Sequence, residues 1–260
     1  MYSKALKDLS AGFQLSHVWI YQAYHEISAK YKRTVLGSVW IAGSMVFTSL
    51  AFAIVFGAIF NQSLQDNLPY IMGGLMSYGL IAAALTEGPD IYLSNGGIIS
   101  NHAYPFTYFN FEWSFKNLLL FGHNLVVFEI TLVLLQRLVV PHWSVVIGLP
   151  FIMVNLFTWG GLASLIASRY RDLRFLMPYL SQLLMFITPV TYHASIMTGV
   201  RHNIVDYNPI FPFVEMIRAP LLGYPMPLQY WPMAIGVTLV GMALWFVFFS
   251  IFRKRIAFWI

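Results

Sequence analysis

Lys30-Tyr31-Lys32-Arg33-Thr34-Val35-Leu36-Gly37-Ser38-Val39-Trp40 joins a basic segment to the first of several long apolar runs. Three cations (Lys30, Lys32 and Arg33) stand just before a stretch, Thr34 to Gln65, that carries no charge. Lys and Arg beside a first span fix the side on which it starts, because carrying them through hydrocarbon is costly. This elbow is expected to orient the whole chain, with everything before it in the cytoplasm.

Composition sets the class. Of 260 residues, 58% are hydrophobic and 10% charged, and the mean hydropathy is +0.67. Soluble domains carry roughly 25% charged residues. The deficit implies a bilayer as solvent and an all-α polytopic membrane protein, read as one domain over 1–260. The net charge of +5 sits in short clusters between apolar runs. That pattern indicates topology rather than a nucleic-acid surface. No cysteine is present, so redox compartment is undetermined. No short apolar run ends in a cleavage site near the N-terminus, so the first span is expected to remain in the mature chain.

A spanning helix needs about 20 mostly apolar residues. Six stretches fit or nearly fit: Val39–Phe60, Pro69–Leu85, Leu118–Leu135, Val145–Ala167, Leu176–Tyr192 and Trp231–Phe252. With the N-terminus inside, twelve cations fall on the cytoplasmic side and three, Arg137, Arg201 and Arg218, outside. Both termini are therefore expected in the cytoplasm. Residues 1–33 suit an amphipathic helix in the membrane interface, with Ile20, Tyr24, Ile27 and Tyr31 on its apolar side. A helix packed on a partner is compatible with the same pattern. Between spans five and six, residues 193–229 are too apolar for an aqueous loop, yet Pro209, Pro212 and Pro220 break them. Two short re-entrant helices on the outer face fit best, shielded by protein as such backbone must be.

No Gly-x-x-x-x-Gly-Lys-Ser/Thr loop exists, nor a His-Glu-x-x-His helix or a Gly-x-Ser-x-Gly elbow, so the chain is not expected to be an enzyme. Any energy for transport must come from elsewhere. In the third span Glu129, near His123, is compatible with a structural hydrogen bond, a translocation role or proton coupling. Glu112 and Lys116, four residues apart, suggest a stabilising surface pair. Gly160, Ser164 and Ser168 form a small-x-x-x-small row suited to close helix packing. Phe52, Phe56 and Phe60, and on the fifth span Tyr179, Gln182 and Phe186, form faces that suit a sugar channel or simply lipid and packing. Arg169, Arg171, Asp172 and Arg174 form a tight cytoplasmic turn. Residues 90–112, with Asn95, Ile98, Ile99, His102, Tyr104 and Pro105, suggest a surface helix on which a cytoplasmic partner docks.

Taken in order, these motifs resemble the permease subunits of type 2 ABC exporters, in the polysaccharide-export branch that includes O-antigen, capsule and teichoic acid permeases. The elbow Lys30–Trp40 is similar to that family's basic Arg-Tyr-basic-Arg-Ser-x-Leu-Gly-x-x-Trp. Asn95-Gly-Gly-Ile-Ile99 with Tyr104-Pro105 is similar to its coupling segment. Arg169-Tyr-Arg-Asp172, Thr188-Pro-Val-x-Tyr192, Asn208-Pro209 with Arg218, and the tail Phe252–Trp259 follow in register. Lys30 stands where Arg is usual, no Pro follows Trp40, and His102 occupies a commonly basic position.

The resemblance implies a two-fold dimer of this chain and two copies of a cytoplasmic ATPase subunit, with ATP and Mg on that partner and no cofactor bound here. It implies a lipid-linked glycan as cargo and the bacterial inner membrane as location, with no nucleic acid involved. Asp90–Pro105 and the N-terminal helix would receive the ATPase. Arg169, Arg171, Asp172 and Arg174 would meet the carrier's diphosphate or the partner, as suits a multi-Arg cluster. Efflux of a small hydrophobic compound and ion-coupled carriage are the alternatives.

Overall fold

The computed structural model describes residues 2–32, 37, 39–199 and 203–260. Within the elbow Arg33, Thr34, Val35, Leu36 and Ser38 lie outside the described residues, as does Arg201. Every regular element described is helical. In order these are α1 (Tyr2–Gln14), α2 (Ser16–Tyr31), α3 (Val39–Phe60), α4 (Leu64–Thr86), α5 (Asp90–Leu93), α6 (Gly96–Asn101) and α7 (Phe106–Leu134). There follow α8 (Val145–Arg169), α9 (Leu173–Ile187), α10 (Asn203–Asp206), α11 (Phe211–Leu221), α12 (Trp231–Phe252) and α13 (Ile256–Trp259). Five helices are long and apolar enough to cross a membrane: α3, α4, α7, α8 and the stretch containing α12.

Two connections at one end of the bundle follow local rules. Asn61 takes a left-handed φ of 52° after α3, a conformation that Asn tolerates better than other side chains. Ser63 then caps α4, its Oγ accepting from the Asp66 N–H at 3.2 Å. Beyond α7, Gln136 turns left-handed at φ 56°. The Arg137 N–H there reaches back to the Leu132 carbonyl at 2.9 Å, closing the helix in a Schellman turn.

Between the long helices, close packing is made by indoles lying on glycines. A Cβ at Gly160 would lie 2.5 Å from Trp113, one at Gly161 2.7 Å from Trp245, and one at Gly241 2.6 Å from Trp159. Three indoles thus sit on bare backbone and hold α7, α8 and α12 close. Ser164, one turn beyond Gly160, accepts the Tyr92 N–H at 2.9 Å, and Ser168 Oγ donates to the Ser164 carbonyl at 2.8 Å. The small-residue row is a packing surface, as its spacing implied, and it seats α5 as well as a long helix.

Pairings between α8 and α12 keep constant register. Asn155 Nδ2 donates to Thr238 Oγ1 at 2.7 Å, Gly241 meets Trp159, and Gly161 meets Trp245. The two helices run parallel, so the chain returns across the bundle between them. It does so through α9 and the segment after it. At 15 residues, α9 extends only about 22 Å. It stops at Ile187, five residues short of the expected Tyr192. Thr188 is extended (ψ 134°) because it precedes Pro189, which disfavours helical backbone one residue earlier.

Among the described residues, the region 193–229 contains an α-helix of 11 residues and one of 4, with a 3-10 turn at Ala194–Ile196 before them. Nearly all of α11 is buried, against α4, α8 and α12. The segment expected over 90–112 also ends early. Pro105 leads directly into α7, so Phe106–Glu112 belong to that helix.

The N-terminal region is two helices, α1 and α2, both packed on α7. The buried face of α2 is Trp19, Ala23 and Ile27, while Ile20 and Tyr24 stay exposed. Trp19 sets this rotation by stacking on Phe111 and meeting Phe115 edge-on, with centroids 5.8 and 5.4 Å away. The Tyr31 side chain of the expected face lies outside the described residues.

Gly161→Val should destabilise the purified protein by about 1–3 kcal/mol, because a side chain here overpacks a filled layer. Gly236→Ala on α12, where nothing lies within 4 Å of the new methyl group, should leave the thermal midpoint in the same detergent unchanged.

Candidate functional site

Both described chain ends meet at the end of the bundle where α7 begins, here called the terminal end. Asp8 on α1 is buried. Its carboxylate accepts the Thr107 N–H at 3.0 Å, the Thr107 hydroxyl at 2.9 Å and Arg253 Nε at 2.6 Å. One side chain thus joins α1, the start of α7 and the end of α12. Nothing in the sequence singles out Asp8, because beside Lys4 and Lys7 it has the pattern of a solvated helix face.

The same end carries the short helices α5 and α6. Ile91 and Tyr92 are buried beneath them, and Tyr92 meets Phe106 edge-on at 6.1 Å. Of the six residues expected to couple to a partner, Ile98, His102 and Tyr104 project outward. Tyr104 continues into Tyr108, centroids 5.0 Å apart. The other three serve the chain itself. Asn95 Nδ2 donates to the Ile91 carbonyl at 2.8 Å, Ile99 packs on the core, and Pro105 precedes α7.

The Arg turn sits beside this shelf. Arg174 pairs with Asp90 at 3.0 Å, and Arg171 donates to the Trp259 carbonyl at 3.3 Å. Arg169 and Asp172 are exposed. The turn therefore ties the start of α9 to α5 and to the C-terminal helix α13. Close by, the expected surface pair of Glu112 and Lys116 is corrected. Lys116 bonds Glu26 on α2 at 3.2 Å, and Glu112 is 3% exposed. The four-residue rule describes an isolated helix, whereas α2 covers this one. Glu26, Glu87, Asp90 and Glu112 line a cavity of about 460 Å³ here with Lys30 and Lys116.

The opposite, distal end holds a second constellation. Arg218 on α11 has no exposed surface. It pairs with Glu215 and donates to the Pro189 carbonyl at 2.8 Å. Its guanidinium lies 3.9 Å from the Tyr70 ring centroid, and His193 stacks on Tyr70 at 3.7 Å. Two groups so close cannot share one ring face, so Tyr70 is sandwiched between them.

Counted by sequence as an outer surface cation, Arg218 is instead a buried strut. Charge counting treats every Lys or Arg between spans as hydrated, and spacing alone does not show which side of a short helix faces the protein. Burial, with Arg218 nearby, pulls the His193 imidazole below its usual range, against the opposing pull of Glu215. A cavity of about 640 Å³ adjoins, with Arg137 and Asp66 paired at 2.9 Å on its lining.

The two expected channel faces remain separate rows. Phe52, Phe56 and Phe60 form a ladder of stacked rings 5.9 and 6.0 Å apart on α3, which packs on α4 and α7. Tyr179, Gln182 and Phe186 are exposed on α9, which packs on α4 and α8. None of the six lines the cavities described here. Glu129 is half-exposed in an apolar hollow with Leu125, Val126, Ile130 and Val133, and among the described residues no hydrogen bond holds it. His123 bonds its own helix at Leu119, 2.8 Å away; six residues from Glu129, it points to a different side. Among the described residues, no group of three His, Asp or Glu side chains is placed to hold a metal.

No protein-family model matches the chain, and no curated protein is similar enough to it to serve as a relative. What the fold and the two ends define is a class, a helical polytopic membrane protein with five helices of spanning length.

Asp8→Ala should cost about 2–3 kcal/mol, the worth of hydrogen bonds to a buried charge, and speed hydrogen exchange across residues 2–14. His193 gives a pH dependence of known sign. Its folded-state pKa is lowered, so the unfolded chain takes up the proton first as pH falls. The thermal midpoint should drop from about pH 6.5 downward, and His193→Phe should flatten that slope.

Proposed function

We propose that this chain is the membrane half of an ATP-driven exporter, moving a lipid-linked surface glycan out of a bacterial cytoplasm. The observation that carries the reading is the shelf of α5 and α6. Two short helices stand on a buried Tyr92 and present Ile98, His102 and Tyr104 outward. A chain with no phosphate-binding loop of its own needs such a face if nucleotide is to drive it.

Six spans are part of the proposal. The parallel register of α8 and α12 supports a return crossing between them, for which the apolar helix α9 is the candidate. The terminal end is taken as cytoplasmic because Arg169, Arg171, Arg174, Arg253, Lys254 and Arg255 gather there. Helix α11 is then an outer re-entrant helix, tolerable at membrane depth because protein surrounds it. Two copies of the chain would form the conduit, and two ATPase subunits would dock beneath. The exposed Tyr179, Gln182 and Phe186 suit a face shared between copies along the glycan path.

Efflux of a small hydrophobic compound would use the same shelf and differs only in cargo. Ion-coupled carriage is less well supported, because Glu129 and His123 lie on different sides of α7.

The test is co-expression with an ATPase subunit encoded beside this chain. Ile98→Asp with Tyr104→Ala should cut co-purification by about tenfold or more, as removal of interface anchors does, while the thermal midpoint of the chain holds. Unchanged recovery of the ATPase would remove the shelf as its seat.

A further inference from the structure

The distal cavity beside Arg218 is built from unusual parts. It is open, about 640 Å³, within the range of small-ligand sites. Its lining brings together Gln65, Asp66, Gln136, Arg137, Glu215 and Tyr224. Tyr224 is 68% exposed, so its ring offers a free face, unlike Tyr70. Arg218 also lines the cavity, is wholly buried, and leaves its Nε–H without a partner. A buried donor without an acceptor is costly, and here it stands at the wall of a cavity with room for one.

Charge decides which ligand fits. Both arginines are already matched, Arg218 by Glu215 and Arg137 by Asp66. An anion would lie against the Glu215 and Asp66 carboxylates and an ammonium group against the Arg218 and Arg137 guanidiniums, so neither meets a net opposite charge. A neutral polyhydroxyl ligand needs no such charge. Its hydroxyls both donate and accept, so they can bond the carboxylates, the arginines and the amides of Gln65 and Gln136 while each pair stays closed. The apolar face of a pyranose ring can at the same time lie on Tyr224.

We propose that this cavity is a subsite for a neutral sugar unit at the outer end of the chain. Sugar hydroxyls would satisfy the Glu215, Arg218 and amide groups, with Tyr224 as platform. The inference rests on the export reading, since it takes the bound sugar to be part of the exported glycan.

The experiment uses the full chain in lipid nanodiscs and neutral trisaccharides of glucose, mannose, galactose and N-acetylglucosamine, read by saturation-transfer NMR and titration. At least one should bind saturably. Tyr224→Ala and Gln65→Ala should each weaken it, the former by about tenfold, the size expected for loss of one aromatic contact. Tyr21→Ala, at an exposed tyrosine of α2 that lines no part of this cavity, should leave binding unchanged and so serves as the folded control.

Absence of binding by all four sugars overturns the proposal. So does binding that survives the double variant, or that glycerophosphocholine displaces. A chain that binds sugar but recruits no ATPase would fail the export reading and leave this site standing. Recruitment without sugar binding would do the reverse.

Discussion

The contact on which the bundle depends is an indole against a glycine. Between helices in hydrocarbon there is no hydrophobic gain, because lipid tails are as apolar as the side chains they would leave. Attraction then has to come from close fit. Trp113 on Gly160, Trp245 on Gly161 and Trp159 on Gly241 supply large flat surfaces lying on bare backbone, where dispersion contacts are most numerous. Since these three contacts fall at matching heights, they also fix register. Once α8 and α12 are locked parallel, the path of the chain between them is determined, and with it the placement of α9 and α11.

The two ends of this frame are finished differently. At the terminal end polar groups fasten separate pieces of chain: Asp8 gathers α1, α7 and α12, and the Arg turn gathers α5, α9 and α13. Most of these groups lie at the rim, where such bonds can exchange with water. At the distal end the fastening is interior. Arg218 sits inside α11, and its charge is balanced by Glu215, the Pro189 carbonyl and the Tyr70 ring. A buried charge of this kind stays where its partners are, because parting them leaves it uncompensated. The distal end is therefore the more rigidly specified, and the terminal end the more open to water.

The parts legible in sequence were those governed by a single helix. Span positions for α3 and α12 follow from apolar length alone, and the Gly160-Ser164-Ser168 row follows from spacing. What sequence could not give was set by a neighbour. Glu112 and Lys116 look paired until α2 is laid over them and Glu26 takes the lysine. Ile20 and Tyr24 share the apolar side of α2, and only the contact of Trp19 with Phe111 shows that a different face packs on α7. Arg218 is in a proline-broken stretch that reads as short helices on the outer face, and only its contacts with Tyr70 and Pro189, distant in sequence, show its side chain to be interior. Along Asn95–Pro105, spacing does not separate the residues that face out, Ile98, His102 and Tyr104, from those that hold the stretch in place; contacts with the rest of the chain do.

These ends are not independent, and α9 is the reason. At its start Arg174 holds Asp90 of α5, the helix that carries the terminal shelf. Just past its end, Thr188 Oγ1 accepts from Asn208 Nδ2 at 2.9 Å, and the Pro189 carbonyl accepts from Arg218. In its middle the Tyr78 hydroxyl of α4 donates to the Ser181 carbonyl. At 15 residues the helix is too short to bend appreciably, so a displacement of α5 must either break the Arg174–Asp90 pair or reach the segment that holds α11. The pair is half-exposed and the distal bonds are buried, so small displacements are absorbed by the pair, and larger ones travel only if a partner seated on the shelf also covers it. In the export reading, coupling between nucleotide and conduit then depends on dehydrating Arg174 and Asp90 as the ATPase docks. An ion pair that is weak in water becomes, once covered, the stiff joint through which α9 moves.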